Sequence, residues 1–381
     1  MMPSPLAATL VRPTPEPPLA LLAELTHRCP LACPYCANPL ELERASAELE
    51  TADWLRVLDE AAALGVLQVH FSGGEPCARR DLLELITRAA ERGLYSNLIT
   101  SGVTLDQAGV DRLAAAELDH VQLSFQDAET GSADRLGGLR GGHARKLALA
   151  AMVRAAGLPL TANFVVHRQN LERLPAMLAL GEALGASRIE IAHVQYYGWG
   201  LVNRAALMPS LAQLEAATAI VEQARVTLHG RVTVDYVVPD YHAARPKACM
   251  GGWARRIVNI TPAGLALPCH AAETLPGFSF PSVRSQSLSA IWRDDPLFTR
   301  FRGTDWMPEP CRSCDNREID WGGCRCQALA LTGDAANTDP ACSLSPHHAV
   351  MADAVALAAG PAPDLVYRRI GGAAALTSLE V

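Results

Sequence analysis

Strand-like and helix-like segments alternate from Ala20 to about Ser210, and this alternation constrains the fold more than any other feature of the chain. The strand-like segments are Ala20–Leu25, Leu67–Phe71, Ser96–Thr100, His120–Phe125, Leu160–Val166 and Arg188–Gln195. The amphipathic segments with helical period are Thr51–Leu64, Arg79–Arg92, Leu105–Ala116, Gly142–Ala156 and Leu171–Leu184. This pattern predicts an α/β fold in which six βα repeats form an open, partial TIM-like barrel, with its active site at the carboxyl ends of the strands.

Composition narrows the class of protein. Of the 381 residues, 49% are hydrophobic and 19% are charged, which is typical of a globular protein. The net charge of −7 argues against nucleic acid as the main partner. We expect neither a membrane span nor a signal peptide, because no apolar run is long enough and Met1–Ala20 contains six prolines. Eleven cysteines do not fit a complete disulfide framework, so we expect reduced thiols and a cytoplasmic location.

Three cysteines follow the first strand with the spacing C-x₃-C-x₂-C, namely Cys29, Cys33 and Cys36. Three thiolates from one loop can hold three corners of a cubane iron–sulfur cluster and leave the fourth iron without a protein ligand. Catalytic zinc sites keep one coordination position free for substrate, whereas structural zinc sites do not. By the same reasoning, a cluster with one open iron can bind a substrate and is suited to catalysis. Two alternatives remain: a zinc site completed by a distant ligand or by His27, and a disulfide with a spare thiol.

The second strand ends in Ser72-Gly73-Gly74-Glu75-Pro76, where two glycines allow a ligand to approach the backbone closely. This turn and the cysteine loop together resemble those of the radical S-adenosylmethionine (SAM) superfamily. The resemblance implies a catalytic [4Fe–4S] cluster on the three cysteines and SAM chelated to the open iron.

The resemblance also implies which residues contact SAM. Gly73, Gly74 and Glu75 would bind its methionine moiety, and Tyr35 would pack beside it. Further candidates for contact with SAM are Ser124 and Asn163, together with Ser101, Gly102, Gln126 and Arg145.

The C-terminal third contains seven more cysteines, whose pattern resembles the SPASM extension of this superfamily. That extension implies two auxiliary clusters on a C-x₂-C-x₅-C-x₃-C core, in which Asp320 here replaces the third cysteine. A carboxylate oxygen can also bind iron, although it is a harder ligand than a thiolate.

By analogy with the family, each auxiliary cluster has four ligands. The inner cluster would take Cys249, Cys269, Cys324 and Cys326. The outer cluster would take Cys311, Cys314, Asp320 and Cys342. We expect one [4Fe–4S] cluster and a second cluster that is [2Fe–2S] or [4Fe–4S]. The alternative is a zinc ribbon on the Cys311/Cys314 and Cys324/Cys326 pairs. The remaining cysteine, Cys77, is predicted to be a small buried residue beside the Gly-Gly turn.

The segment His193–Ala205, which is rich in aromatic and polar residues, follows the sixth strand and predicts a surface for substrate or cofactor. Together with Leu25–Arg28 and Asp320, it resembles peptide-cyclising members of the superfamily. The resemblance implies that a 5′-deoxyadenosyl radical leads to a carbon–carbon bond between Glu and Tyr side chains of a precursor peptide. It further implies a peptide chaperone and an electron donor such as flavodoxin. The alternatives are a sulfatase-maturase-like enzyme, a ferredoxin-like carrier and a zinc-binding interaction protein.

Four regions are predicted along the chain. They are an N-terminal extension over 1–19, the radical SAM partial barrel over 20–230, the auxiliary-cluster domain over 231–346, and a C-terminal helix with a flexible tail over 347–381. In the third region, Ile257–Pro268 predicts a hairpin and Leu288–Phe301 predicts a helix.

Overall fold

The computed structural model describes residues 15–275 and 277–368, so most of the predicted N-terminal extension and the end of the predicted tail lie outside it. The strands are β1 Ala20–Thr26, β2 Gln68–Gly73, β3 Tyr95–Thr100, β4 His120–Phe125, β5 Leu160–Val166, β6 Arg188–His193, β7 Thr233–Val237, β8 Ile257–Ile260 and β9 Ala266–Leu267. The helices are α1 Thr51–Leu64, α2 Leu82–Glu91, α3 Gln107–Ala115, α4 Thr130–Gly137, α5 Gly142–Ala155, α6 Leu174–Ala183, α7 Gly198–Val202, α8 Arg204–Leu207, α9 Leu211–Thr227, α10 Leu288–Asp294, α11 Pro296–Thr299, α12 Arg325–Thr332 and α13 Ala349–Ala358. None of the described helices is long and apolar enough to cross a membrane.

Within the described residues, the strands form one sheet in the order β7-β6-β5-β4-β3-β2-β1-β8-β9. Neighbours from β7 to β8 pair in parallel, and only β9 runs antiparallel to β8. The predicted α/β class and open barrel are therefore confirmed, as are the six predicted strands. All six strands deliver their carboxyl ends to one edge of the sheet, which is where a site must lie.

The sheet is wider than the six repeats predicted from the sequence. β7 extends it beyond β6, and β8 occupies the free edge of β1, pairing Ala20 with Ile257 and Ala23 with Ile260. Both strands satisfy backbone groups that an exposed edge would leave unpaired. The predicted hairpin over Ile257–Pro268 forms as β8 and β9, and it joins the barrel sheet through β1. A boundary between the barrel and the auxiliary-cluster domain at residue 230 stays a prediction.

One hydrophobic core joins the barrel to the C-terminal third. Leu21 and Leu25 of β1 pack in it with Trp54 of α1, and Trp292 of α10 belongs to the same cluster. On the surface of this core, Glu60 of α1 accepts a hydrogen bond of 2.6 Å from the backbone N–H of Leu288. The C-terminal third is thus held against the first barrel helix.

The helices differ from the prediction in several places, and two of them show the physical reason. The predicted helix over Leu288–Phe301 is split into α10 and α11, because Asp295 is extended and its side chain caps the next helix at Leu297. The eight-residue α4 was missed, since it is too short for its apolar period to stand out. Its start is marked by Glu129, whose carboxylate accepts hydrogen bonds from the N–H groups of Gly131 and Ser132.

Candidate active site and auxiliary cysteine groups

The cysteine loop and the Gly-Gly-Glu-Pro turn meet in one cleft at the carboxyl ends of the strands. The site residues predicted from the sequence that line it are Cys29, Cys33, Tyr35, Cys36, Gly73, Gly74 and Ser124. Thr100, Ser101, Gln126, Trp199 and Arg368 line it as well. The parallel sheet brings these separate loops together because β1 and β2 are adjacent.

The two glycines are required because the turn presses against the loop that follows β1. The N–H of Gly74 donates to the carbonyl of Thr26 at 2.6 Å, and the N–H of Glu75 donates to that of Arg28 at 2.7 Å. A Cβ on Gly74 would lie 2.5 Å from the Arg28 carbonyl oxygen. A Cβ on Gly73, which has a φ of 120°, would lie equally close to that of Thr26. Any side chain here would separate the turn from the cysteine loop.

Glu75 was predicted to contact the cofactor, but its side chain does not line the cleft. It is fully buried and accepts hydrogen bonds from the hydroxyl of Thr100 at 2.7 Å and the N–H of Ser101 at 2.9 Å. A third bond comes from the N–H of Cys77. Glu75 therefore fastens the turn to the end of β3, which is a positioning role.

Three other predicted contacts also lie away from the cleft lining, and one of them is Gly102, whose N–H donates to the Thr100 hydroxyl at 2.9 Å. Asn163 of β5 is buried and hydrogen-bonded to Glu190 of β6, and burial raises the pKa of that carboxyl. Arg145 is exposed on α5. Gln126, which the sequence ranked below Ser124, does line the cleft, with its Nε2 3.9 Å from the Sγ of Cys33.

A buried cation behind the cysteines was missed by the sequence analysis. Lys146 of α5 is 1% exposed, and its Nζ donates to the Ser124 carbonyl at 2.6 Å and to Gln126 Oε1 at 2.8 Å. Burial lowers the pKa of Lys146 to about 8, while the Cys33 thiol opposes that effect. The sequence signal was present, because Lys146 lies on the helix face that carries the buried Leu149, Ala150 and Val153.

The three thiols have the environment of metal ligands. Burial raises the pKa of Cys29 to about 12 and that of Cys36 to about 11, and it also raises the pKa of Cys33. Buried thiolates therefore need compensation from a bound metal or a nearby cation. Lys146 and Arg368 provide positive charge, and three thiols on one cleft-facing loop fit a cluster with one open corner.

The segment His193–Ala205 forms one wall of this site. The N–H groups of Trp199 and Gly200 donate to the carbonyl of Cys36 at 2.9 and 3.3 Å. Asn203 Nδ2 donates to the carbonyl of Pro34 at 2.8 Å. The segment is thus attached to the cysteine loop through residues 199–203, and Trp199 also lines the cleft.

Three of the four cysteines predicted for the inner auxiliary site lie together. The thiol of Cys326 is hydrogen-bonded to Cys269 and Cys324, and these bonds together with burial raise its pKa. The side chain of Cys249 lies outside the described part of the chain. The Tyr197 hydroxyl is 3.4 Å from the Sγ of Cys324, which connects the cleft wall to this group.

The four residues predicted for the outer auxiliary site line one small cavity. They are Cys311, Cys314, Asp320 and Cys342. Arg245 Nη1 lies 3.3 Å from the Sγ of Cys342, and the Cys311 thiol is 3.3 Å from the Thr338 hydroxyl. Cys77 stands apart from both groups, with its Sγ 3.8 Å from the Thr100 hydroxyl.

His27, considered as a zinc ligand from the sequence, is directed elsewhere. Its Nδ1 accepts a hydrogen bond of 3.0 Å from the N–H of Glu43, and its Nε2 lies 4.0 Å from a carboxylate oxygen of Glu273. Glu24 completes this buried group of two carboxyls and one imidazole. Burial raises the pKa of Glu24 and that of Glu273 to about 7.

Comparison with known proteins matches two parts of the chain to family models. Residues 23–181 match the family described as the radical SAM superfamily, and residues 249–315 match the iron–sulfur cluster-binding domain SPASM. A PqqA peptide cyclase of Granulibacter bethesdensis is 66% identical over 94% of this chain and 96% of its own length. One of Gluconobacter oxydans is 63% identical over 93% of this chain and 99% of its own length.

Solved structures show the same fold at low identity. Streptococcus suis SuiB bound to S-adenosylmethionine has a TM-score of 0.69 at 21% identity, covering 86% of this chain and 78% of its own. SuiB bound to its precursor peptide SuiA has a TM-score of 0.68 at 21% identity, covering 87% of this chain and 77% of its own.

The fold and the cysteine loop define an enzyme of the radical SAM class with a SPASM extension, as the sequence predicted. SAM and iron–sulfur clusters are the cofactors of this class. Within it, the chain belongs to the PqqA peptide cyclase family.

Proposed function

We propose that this enzyme joins a Glu and a Tyr side chain of the precursor peptide PqqA through a carbon–carbon bond, as a step toward pyrroloquinoline quinone. The observation that carries the proposal is the single cleft in which three thiols and the Gly-Gly turn face each other. Membership of the PqqA peptide cyclase family supplies the substrate.

Cys29, Cys33 and Cys36 would hold a [4Fe–4S] cluster, and Gly73, Gly74, Tyr35 and Ser124 would contact SAM. When bound, this cluster supplies the electron that splits SAM and so provides the 5′-deoxyadenosyl radical. The protein's own contribution is to orient and shield the reactants. Glu75 holds the turn in place from behind, and Trp199 closes one side of the cleft.

Atom balance defines what else the enzyme must do. One hydrogen atom leaves the glutamate γ-carbon for deoxyadenosine, and the tyrosine ring must then lose one electron and one proton to regain aromaticity. Clusters at the auxiliary sites would supply an acceptor for this electron. Cys249, Cys269, Cys324 and Cys326 would hold the inner cluster. Cys311, Cys314, Asp320 and Cys342 would hold the outer one, and the expected pair is [4Fe–4S] with [2Fe–2S] or a second [4Fe–4S].

The partners follow from the family. PqqD is proposed as the chaperone that presents PqqA, and a flavodoxin-type protein is proposed as the electron donor. The cytoplasm is the proposed location, because the many thiols of this chain need a reducing compartment to bind metal.

The test is an anaerobic reaction of the reconstituted enzyme with SAM, a reductant, PqqA and PqqD, followed by mass spectrometry of the peptide. We expect a product lighter by two hydrogens, with the new bond located between Glu and Tyr by fragmentation. Formation of deoxyadenosine with an unchanged peptide mass would contradict the cyclase proposal. A colourless protein without iron would contradict the cluster assignment.

A further inference from the structure

The described end of the chain lies across the catalytic cysteine loop. Asn203 Nδ2 donates to the Val366 carbonyl at 2.9 Å, and the Val366 N–H donates back to Asn203 Oδ1 at 2.7 Å. The same amide holds the carbonyl of Pro34 in the cysteine loop. Farther back along the segment, Arg168 donates to the carbonyls of Ala358 and Gly360. This C-terminal segment therefore belongs to the site.

The segment delivers Arg368 to the cleft. One nitrogen, Nη2, donates to the carbonyls of Cys29 and Leu31, which sets the position of the guanidinium group. For Nε and Nη1, the described residues offer no acceptor within hydrogen-bond distance. Arg368 thus reaches the cleft with one edge anchored and other donors available.

Those donors suit an anionic ligand, while the positive charge of Arg368 also favours the thiolate forms of Cys29, Cys33 and Cys36. None of the described residues that line the cleft is Asp or Glu, and Arg368 is the only basic residue among them. The second cation near the thiols, Lys146, is buried and already donates to Ser124 and Gln126. A guanidinium group with available donors matches the planar geometry of a carboxylate.

We propose that Arg368 is a specificity-determining residue whose guanidinium group binds the carboxylate of an acidic side chain in the peptide substrate. This inference rests on the proposed function, in which a glutamate of PqqA must be held with its γ-carbon in the cleft. SAM also has a carboxylate. The peptide is favoured because Arg368 belongs to the segment that packs on Asn203, in the wall following β6, rather than on the Gly-Gly turn.

The test measures binding, so that it does not depend on turnover. Labelled PqqA and a PqqA variant with Gln in place of the crosslinked Glu are titrated into the reconstituted enzyme. The titration is done anaerobically with SAM but no reductant, and fluorescence anisotropy reports the dissociation constants. For wild type we expect the Gln peptide to bind on the order of 10-fold more weakly, as for a lost charge-assisted hydrogen bond. In Arg368→Gln and Arg368→Ala, the Glu peptide should weaken by a similar factor and the difference between the peptides should vanish.

The control variant is Arg168→Ala, which removes another guanidinium contact to the same segment without altering the cleft lining. It should retain the preference for the Glu peptide. The affinity lost through Arg368→Gln and the affinity lost through the Gln peptide can also be measured together. If the two losses add independently when Arg368→Gln binds the Gln peptide, Arg368 does not bind that carboxylate.

A second measurement distinguishes SAM from the peptide. Isothermal titration of SAM into wild type and Arg368→Gln should give dissociation constants within about twofold of each other. A loss of SAM affinity equal to the loss of peptide affinity would assign the guanidinium group to SAM and overturn the inference. The proposed function fails separately, if wild type itself yields no peptide lighter by two hydrogens.

Discussion

The hydroxyl group of Tyr197 lies 3.4 Å from the Sγ of Cys324, so one side chain joins the wall of the catalytic cleft to the inner auxiliary cysteine group. Tyr197 is half-buried beside Cys324, Cys326 and Cys269, and its desolvation with these neighbours raises its pKa well above the usual range. The phenol therefore stays protonated and can donate to a metal-bound thiolate.

Replacing Tyr197 with Phe removes this donor. Because hydrogen bonds to cluster sulfur raise the reduction potential, we expect a more negative potential for the inner cluster and slower peptide crosslinking. Deoxyadenosine formation without peptide should stay within about twofold of wild type, since the first cluster keeps its ligands. A redox titration followed by electron paramagnetic resonance measures the potential. The control is Tyr196→Phe, in which the neighbouring ring packs against Tyr241. Equal potentials in Tyr197→Phe and wild type would show that the phenol does not donate to a ligand.

Cys33→Ala should abolish SAM cleavage, because it removes one of the three thiols of the catalytic loop. Deoxyadenosine should fall to background by chromatography, while the auxiliary iron is retained. The control is Cys77→Ala, since Cys77 contacts Thr100 and does not line the cleft. Normal cleavage by Cys33→Ala would rule out Cys33 as a cluster ligand.

Asp320→Cys should keep the outer cluster but change its spectrum and potential, because a thiolate is a softer ligand than a carboxylate. Asp320 lines the same small cavity as Cys311, Cys314 and Cys342. Iron analysis and electron paramagnetic resonance before and after reduction would measure both effects. The control is Glu318→Gln, which changes an exposed carboxylate in the same loop. Spectra identical to wild type would mean that Asp320 binds no iron.

Gly74→Ala should lower both stability and SAM affinity. The new Cβ would lie 2.5 Å from the Arg28 carbonyl oxygen and 2.7 Å from the His27 carbonyl carbon. Overpacking of this kind costs roughly 1–3 kcal/mol. By calorimetry we expect a lower melting temperature and a larger dissociation constant for SAM. Gly360→Ala is the control, because its Cβ would meet no atom within 4 Å. An unchanged affinity for SAM would show that the turn does not shape its site.

Asp127→Asn should destabilise the fold by about 3 kcal/mol, because it leaves Arg173 without its buried partner. The Asp127 carboxylate is fully buried and accepts from Arg173 Nε at 2.9 Å. Burial alone would raise the pKa of Asp127, but the Arg173 hydrogen bonds outweigh it and hold the pKa below the usual 3.8.

The sign of the pH effect follows from this lowered pKa. The stabilisation is fully present above pH 3.8 and is lost only as the pH falls through the still lower folded-state pKa. The decrease in melting temperature from wild type to Asp127→Asn should therefore be the same at pH 5.5 and at pH 8. A loss that differs between these two pH values would contradict the lowered pKa. Asp59→Asn, which breaks a surface pair with Arg88 and Arg92, should cost less than about 1 kcal/mol.

Much of the fold was predictable because its signals are local. The six strands and the helix α1 follow from short-range periodicity, and Gly65 and Gly93 follow helices with positive φ values of 100° and 69°. The positions of β7 and β8 were not predictable in the same way. Each is a short strand whose partner, β6 or β1, depends on which sheet edge remains open after the barrel has formed.

By itself, the sequence determined the chemical class, because three cysteines within eight residues and a Gly-Gly turn are contiguous groups whose spacing suits one metal site. Only the tertiary structure decided which distant groups complete that site. It placed Lys146 behind Cys33, turned Glu75 away from the cleft and brought Arg368 to the cleft opening. The physical reason is that spacing along the chain encodes local ligand geometry. Contacts between residues hundreds of positions apart depend on how the sheet and its covering segments pack.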